Sequence, residues 1–271
     1  MRLIHIQDDG RNDGSLRLSM VELTGSEIDG TPYAILSHRW RDDEVLFVDM
    51  AGDGEAARLK KGYSKLMSSC KVAFERGLLY LWCDTCCIDK SSSAELSEAI
   101  NAMYEYYAKS AFCIAYLDDI EDLPNDEDAL TRATWFSRGW TLQELLAPKK
   151  LYYYSRDWKK LGSKSGLSRQ TSLASGIHEN ILLVPHLSQR ACVSEKMSWA
   201  ACRTTTRAED QAYSLMGLFG VHMPPLYGEG AENAFRRLQL EILQKTNDHT
   251  LFAWDSAETS GDMVSILYSW G

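Results

Sequence analysis

Residues 33–40, YAILSHRW, decide the reading of the fold. Tyr33 to Leu36 run without a polar break and then give way at once to Ser37, His38 and Arg39, with Trp40 behind them. A short, unbroken apolar run is the signature of a strand buried on both faces, and such strands belong to parallel sheets. The abrupt polar end marks the carboxyl edge of the sheet, where open α/β folds bind their ligands. Ser37, His38, Arg39 and Trp40 are therefore candidate substrate contacts. The plainer alternative is a loop in which Arg39 pairs with an acid.

Outward from this stretch the pattern repeats. Residues 62–77 place Tyr63, Leu66, Met67, Cys70, Ala73 and Phe74 at helical spacing, and Gly77 closes the helix. Residues 78–83, LLYLWC, form a second apolar strand ending at Asp84. A carboxylate there can hold a ribose or a cation, or can serve as a cap or turn residue. Ser91 to Ser93 cap the next helix, Glu95 favours its first turn, and Leu96, Ile100, Met103, Tyr104 and Tyr107 form its apolar face. A third strand, FCIAYL at 112–117, ends in Asp118 and Asp119, and the acidic run 121–128 reads as solvated surface. In WFSRGWTLQELLAP, 135–148, a short helix from Trp140 to Leu146 is stopped by Pro148. Trp140 and Glu144 are one turn apart and share a face. Beside an indole and leucines, Glu144 is either a desolvated, functional carboxylate or an ordinary surface acid. LYYY at 151–154 is a fourth strand.

This alternation predicts an α/β, flavodoxin-like parallel sheet with right-handed crossovers and helices on both faces. Ahead of it lie two short strands, 1–6 and 16–23, separated by a turn at 8–13 and followed by a loop at 26–31. Behind it the chain is mainly helical. Residues 161–175 read as a Gly/Ser-rich connection, 181–184 as a short apolar stretch and 193–201 as a helix. Thr204 to Thr206 cap a helix at 207–219, and a Pro/Gly turn leads to a helix at 232–246 with Phe235, Leu238, Ile242 and Leu243 inward. Arg207, Glu209 and Asp210 are expected to pin a helix through internal ion pairs. The chain is thus read as one domain, 1–271, made of 1–30, an α/β core at 31–160 and a helical extension at 161–271. Residues 251–254 are a last apolar run, and the tail, 257–271, ends on another, which leads to the expectation of a longer parent chain.

Composition narrows the function. The 271 residues are 45% hydrophobic and 25% charged, as in globular domains, and the net charge of −9 disfavours nucleic acid and anionic membranes. No run approaches a membrane span or a signal peptide, and seven cysteines, an odd number, fit a reduced, cytoplasmic setting. Cys83-x-x-Cys86 lacks a second pair and a following histidine at ligand spacing, so no metal site is assigned. No GxSxG elbow occurs, and Ser37 and His38, adjacent on a strand, point oppositely, which speaks against a hydrolase triad. A Gly-rich dinucleotide fingerprint is also missing.

YAILSHRW, LWCDTCCIDKSSSAELSEAINAM, WFSRGWTLQELLAP, RTTTRAEDQAYSLMGLFGV and PPLYGEGAENAFRRLQLEI together resemble the heterokaryon-incompatibility (HET) domain of filamentous fungi. The resemblance covers nearly the whole chain. It implies a cytoplasmic cell-death effector of non-self recognition, joined to NLR-type nucleotide-binding and repeat modules. The first half also resembles, more weakly, a TIR domain: LSHRW, then LWCD and SEAI, then Trp140 with Glu144. Trp40 and the cysteine-rich segment after Asp84 depart from the usual TIR pattern. In TIR domains that cleave NAD+ the matching glutamate is catalytic. The resemblance therefore implies NAD+ as substrate, no tightly bound cofactor, Glu144 as the catalytic residue, and self-association to assemble the active form. In that scheme Trp140 shapes the pocket, Arg39 contacts the pyrophosphate and Asp84 the ribose. The alternative is a non-enzymatic self-association module, using an exposed helix face at Tyr104, Tyr106 and Tyr107.

Overall fold

Four parallel strands at the centre of a seven-stranded sheet set the architecture. The computed structural model describes residues 1–10, 15–50, 52, 54–122 and 128–252. It divides the chain into two compact units, one of residues 1–99, 109–121 and 148–162 and another of 100–108, 122–147 and 163–271.

The first unit is the α/β part. Its elements are β1 (Arg2–Asp8), β2 (Leu16–Glu22), α1 (Ser26–Gly30), β3 (Ala34–Ser37), α2 (Glu55–Arg58), α3 (Tyr63–Glu75), β4 (Tyr80–Trp82), α4 (Asp84–Cys87), the start of α5 (Ser93–Lys109), β5 (Phe112–Tyr116), β6 (Leu151–Tyr154) and β7 (Lys160–Ser163). The strand order is β2-β1-β4-β3-β5-β6-β7. β3 runs parallel to β4, with Ala34 opposite Leu81, and parallel to β5, with Ser37 opposite Ala115; β5 runs parallel to β6. Every residue of β3 is buried, as its unbroken apolar run requires. β1 lies antiparallel to both β2 and β4, so the N-terminal hairpin extends the parallel core into a mixed sheet. In chain order from β3 the parallel strands stand 2-1-3-4, the doubly wound order whose direction reverses between β3 and β5. α3 buries Leu66, Cys70 and Ala73, and Ser92 caps α5 by accepting from the Glu95 N–H at 3.3 Å.

Residues 26–31, expected as loop, contain the short helix α1. Glu27 reaches back to accept from the Thr24 N–H at 3.0 Å, as the acid of a capping box does, and this starts the turn.

The second unit is helical: α6 (Thr141–Leu146), α7 (Ser168–Ser175), α8 (Glu179–Leu183), α9 (Pro185–Arg190), α10 (Val193–Ala201), α11 (Asp210–Tyr213), α12 (Met216–Phe219) and α13 (Ala231–Lys245), with 3-10 turns at 129–132, 134–137 and 249–252; its boundary differs from the expected 161, because 100–108 and 122–147 cluster with it. The structure corrects several details. The expected connection at 161–175 holds β7 and α7, and 181–184 falls mostly in α8. The expected helix 207–219 is broken into α11 and α12. α13 buries Phe235, Leu238 and Ile242, but Leu243 is exposed. The tyrosines of α5 do not form an exposed face: Tyr107 is buried, and Tyr104 and Tyr106 are half-buried. Tyr104 packs so closely on Gly217 that a Cβ there would stand 2.2 Å from the Tyr104 Cβ. The expected turn at 8–13, the acidic run at 121–128 and the apolar stretches at 251–254 and 257–271 lie wholly or partly outside the described residues.

Candidate functional site

The polar ends of β3 and β4 converge at the carboxyl edge of the sheet. Ser37 ends β3 and is buried, and His38 follows it, buried too. Asp84 opens α4 immediately beyond β4 and Cys83, and its Oδ1 lies 4.0 Å from His38 Nδ1. The other carboxylate oxygen, Oδ2, accepts from Trp40 Nε1 at 2.7 Å. Lys90 Nζ sits over the Trp40 ring, 3.5 Å from its centroid, and burial lowers its pKa. On the β5 side, Arg39 Nη1 is 3.9 Å from Asp119 Oδ2, and Arg41 forms an ion pair with Asp118. Behind them the buried Glu44 is paired with Lys65, whose Nζ lies 3.5 Å from the Arg39 carbonyl oxygen. Ser37, His38, Arg39, Trp40 and Asp84 are thus brought together at the sheet edge. Arg39 stands at the switch point and faces Asp119, the acid that the plainer alternative expects.

Trp140 and Glu144 belong to the second unit. Trp140 directly precedes α6, all of whose residues are buried, Glu144 included at 9% exposure. The ordinary surface reading of Glu144 therefore falls. The segment ahead of α6 is laced to the residues after α10. Thr204 N–H donates to the Ser137 carbonyl at 2.7 Å, Gly139 N–H donates to the Thr204 carbonyl at 2.9 Å, and a Cβ on Gly139 would meet Thr205 Cγ2 at 2.5 Å. Arg203 is buried and donates to the Trp199 and Arg138 carbonyls, both at 3.0 Å, and to Thr141 Oγ1 at 3.1 Å. The Thr141 hydroxyl in turn donates to the Trp135 carbonyl at 2.6 Å.

Trp140 is held by its hydrogen bond to the Asp210 carboxylate, which also accepts from the Tyr227 hydroxyl at 2.9 Å. Burial raises the Asp210 pKa, and the bonds from Trp140 and Tyr227 offset part of that rise. Arg207 lies over the Tyr227 ring at 4.1 Å. Glu209 accepts from the Gly228 and Gly230 N–H groups at 2.8 and 3.2 Å, clamping the turn before α13. Arg207, Glu209 and Asp210 do pin this region: Arg207 attracts both carboxylates, and the hydrogen bonds and the ring contact add to that attraction. Arg203 and the Lys65–Glu44 pair escaped the sequence reading, because their partners are carbonyls or charges on distant segments with no spacing signal.

Residues 33–123 match the family model of the heterokaryon incompatibility protein (HET). The chain carries a HET domain. A domain of unknown function matches residues 233–266. The chain is also similar to the vegetative incompatibility protein HET-E-1 of Podospora anserina, 44% identical over 220 residues, which are 78% of this chain and 16% of that protein. The chain thus spans a small part of that relative's length. No solved structure matches. The span matched as HET contains β3, β4 and β5, and so Ser37 to Trp40 and Asp84; Trp140 and Glu144 lie beyond it. Among the described residues, no helix of this HET domain is long and apolar enough to cross a membrane.

Proposed function

We propose that this HET domain is a cell-death effector of fungal non-self recognition that cleaves NAD+ at its nicotinamide–ribose bond when it self-associates. The observation that carries the chemistry is Glu144: a carboxylate buried in an otherwise uncharged helix, one turn from a Trp140 fixed by Asp210. The similarity to a vegetative incompatibility protein supports the cellular role. The TIR-like order of LSHRW, LWCD and Trp140–Glu144 supports the reaction type.

Nicotinamide leaves as a neutral molecule, taking the electron pair of the broken C–N bond. The sugar left behind has oxocarbenium character, and water captures it, releasing a proton. Such a transition state calls for a nearby negative charge in a water-poor setting, which is what Glu144 offers. NAD+ is substrate rather than resident cofactor. In this reading the domain works in the cytoplasm as one module of a longer NLR-type receptor. It binds neither nucleic acid nor membrane, in keeping with its net charge of −9.

The test is NAD+ consumption by purified protein over a range of concentrations, beside Glu144→Gln. Glutamine keeps the shape of the side chain, so turnover should drop about 100-fold or more while oligomer size and melting temperature stay unchanged. If NAD+ stays intact at every concentration, and Glu144→Gln kills cells as wild type does, the enzymatic reading fails. That outcome would favour self-association without chemistry. Leu46, Val48 and Leu59, all exposed, and Leu59 at 87%, are the apolar residues that favour this second reading.

A further inference from the structure

We propose that His38, Cys83 and Asp84 form a zinc-binding site at the carboxyl edge of the sheet. One imidazole nitrogen, one sulfur and one carboxylate oxygen from these residues all lie within 4.8 Å of one another. Nitrogen, sulfur and carboxylate oxygen are the three donor types that zinc takes from proteins, and three protein ligands leave a fourth position for water. The separations suit an ion better than direct contact. His38 Nδ1 and Asp84 Oδ1 stand 4.0 Å apart, too far for a hydrogen bond. Tetrahedral bonds of about 2.0–2.3 Å set ligand atoms about 3.3–3.8 Å apart, so small side-chain movements close the site.

The surroundings also fit. His38 and Cys83 are buried, and the half-buried Asp84 gives the site its open side. Asp84 has its second oxygen held by Trp40 Nε1, the kind of outer contact that orients a ligating carboxylate. His38 follows β3, whereas Cys83 and Asp84 follow β4, and these strands are paired in parallel, so the backbone fixes the ligand positions in advance. Two cations oppose a metal ion here: Lys65, which acts on Cys83, and Lys90. Lys90, over the Trp40 ring, adds positive charge near Asp84 and Cys83, and its removal is therefore informative.

The proposal does not depend on the NAD+ reading, and its test is made on resting protein without NAD+. Protein stripped with a chelator and kept reduced is titrated with Zn2+ against a chromophoric chelator, and separately with Co2+ by absorption. One zinc per chain is expected, and the cobalt form should show a thiolate charge-transfer band. His38→Ala, Cys83→Ser and Asp84→Asn should each weaken binding about 10- to 100-fold, while Cys202→Ser leaves it unchanged. Lys90→Met should tighten binding on the order of tenfold, as expected for one unit charge a few ångströms away in a half-buried site. Should the ligand variants misfold, wild-type protein still decides: zinc should shield Cys83 from alkylation under mild denaturation, read by mass spectrometry. No stoichiometric zinc, a cobalt spectrum lacking the thiolate band, or binding that survives Cys83→Ser overturns the proposal. Each of these outcomes leaves NAD+ cleavage by Glu144 standing, and loss of NAD+ cleavage leaves the zinc site standing.

Discussion

Replacing Arg203 by alanine removes the buried fork that ties the end of α10 to the start of α6. Three bonds are lost, to the Trp199 carbonyl, the Arg138 carbonyl and Thr141 Oγ1, at 3.0, 3.0 and 3.1 Å. Hydrogen bonds from a charged donor contribute about 1.5–3 kcal/mol each, but bonds sharing one side chain do not add fully. With Arg203 only 5% exposed, water cannot readily replace the donor, so a cost of about 3–5 kcal/mol is expected. That is a large share of the about 5–15 kcal/mol that holds a typical domain folded. At about 2–4 °C per kcal/mol for a chain of this size, the melting temperature should fall by about 10 °C. Arg203→Lys should fall between the two proteins, because an ammonium keeps the charge but not the planar fork. Thermal melts by far-UV circular dichroism and urea titrations of the three proteins provide the measurement. A fall of under about 2 °C for Arg203→Ala would refute the reasoning.

Three further outcomes follow from the structure. Gly217→Ala sets a Cβ 2.2 Å from the Tyr104 Cβ and should cost about 1–3 kcal/mol, read by urea denaturation; pairing it with Tyr104→Ala should recover part of the loss. Asp210 has a folded pKa raised chiefly by burial above its unfolded value of about 3.9, so its ionisation works against folding. Its contribution to stability therefore declines as pH rises from near 3.9 through the raised folded value, then levels off. The melting temperature of wild type relative to Asp210→Asn should fall across that window, and a difference that does not change with pH counts against the assignment. Among the seven thiols, the exposed Cys202 and the half-buried Cys192 should react first with a thiol reagent in native protein. The Cys192 pKa is lowered mainly by its hydrogen bond with Ser194, whereas burial raises those of Cys70 and Cys87. Peptide mapping that finds Cys70 or Cys87 labelled as fast as Cys202 would contradict this.

The strands were legible in the sequence because burial on both faces leaves no room for polar residues. YAIL, FCIAY and LYYY therefore stand out as bare apolar runs, and LYYY forms β6 residue for residue. Helices with one wet face were legible too, though their edges were less secure: Tyr107 is buried on the apolar face of α5 that its spacing gives, whereas Leu243 fits the apolar spacing of α13 yet is exposed. Spacing reports which residues share a face, not what covers that face.

For the site, residue order is enough to place Ser37 to Trp40 and Asp84 at the ends of apolar strands, and parallel strands necessarily deliver such ends to one edge. It left Glu144 open between surface and interior, because a short helix of leucines with one glutamate reads the same either way. Its burial appears only in the tertiary structure, where the loop 137–139 is also closed onto Thr204 and tied by Arg203. The tertiary structure alone decided the strand order, since pairing is a choice among distant segments that no local pattern records. The same holds for His38 beside Cys83 and Asp84. In the chain Cys83-x-x-Cys86 lacks a histidine partner, and the pairing of β3 with β4 supplies one. Local chemistry is written in residue order, but a constellation of ligands depends on which strands become neighbours.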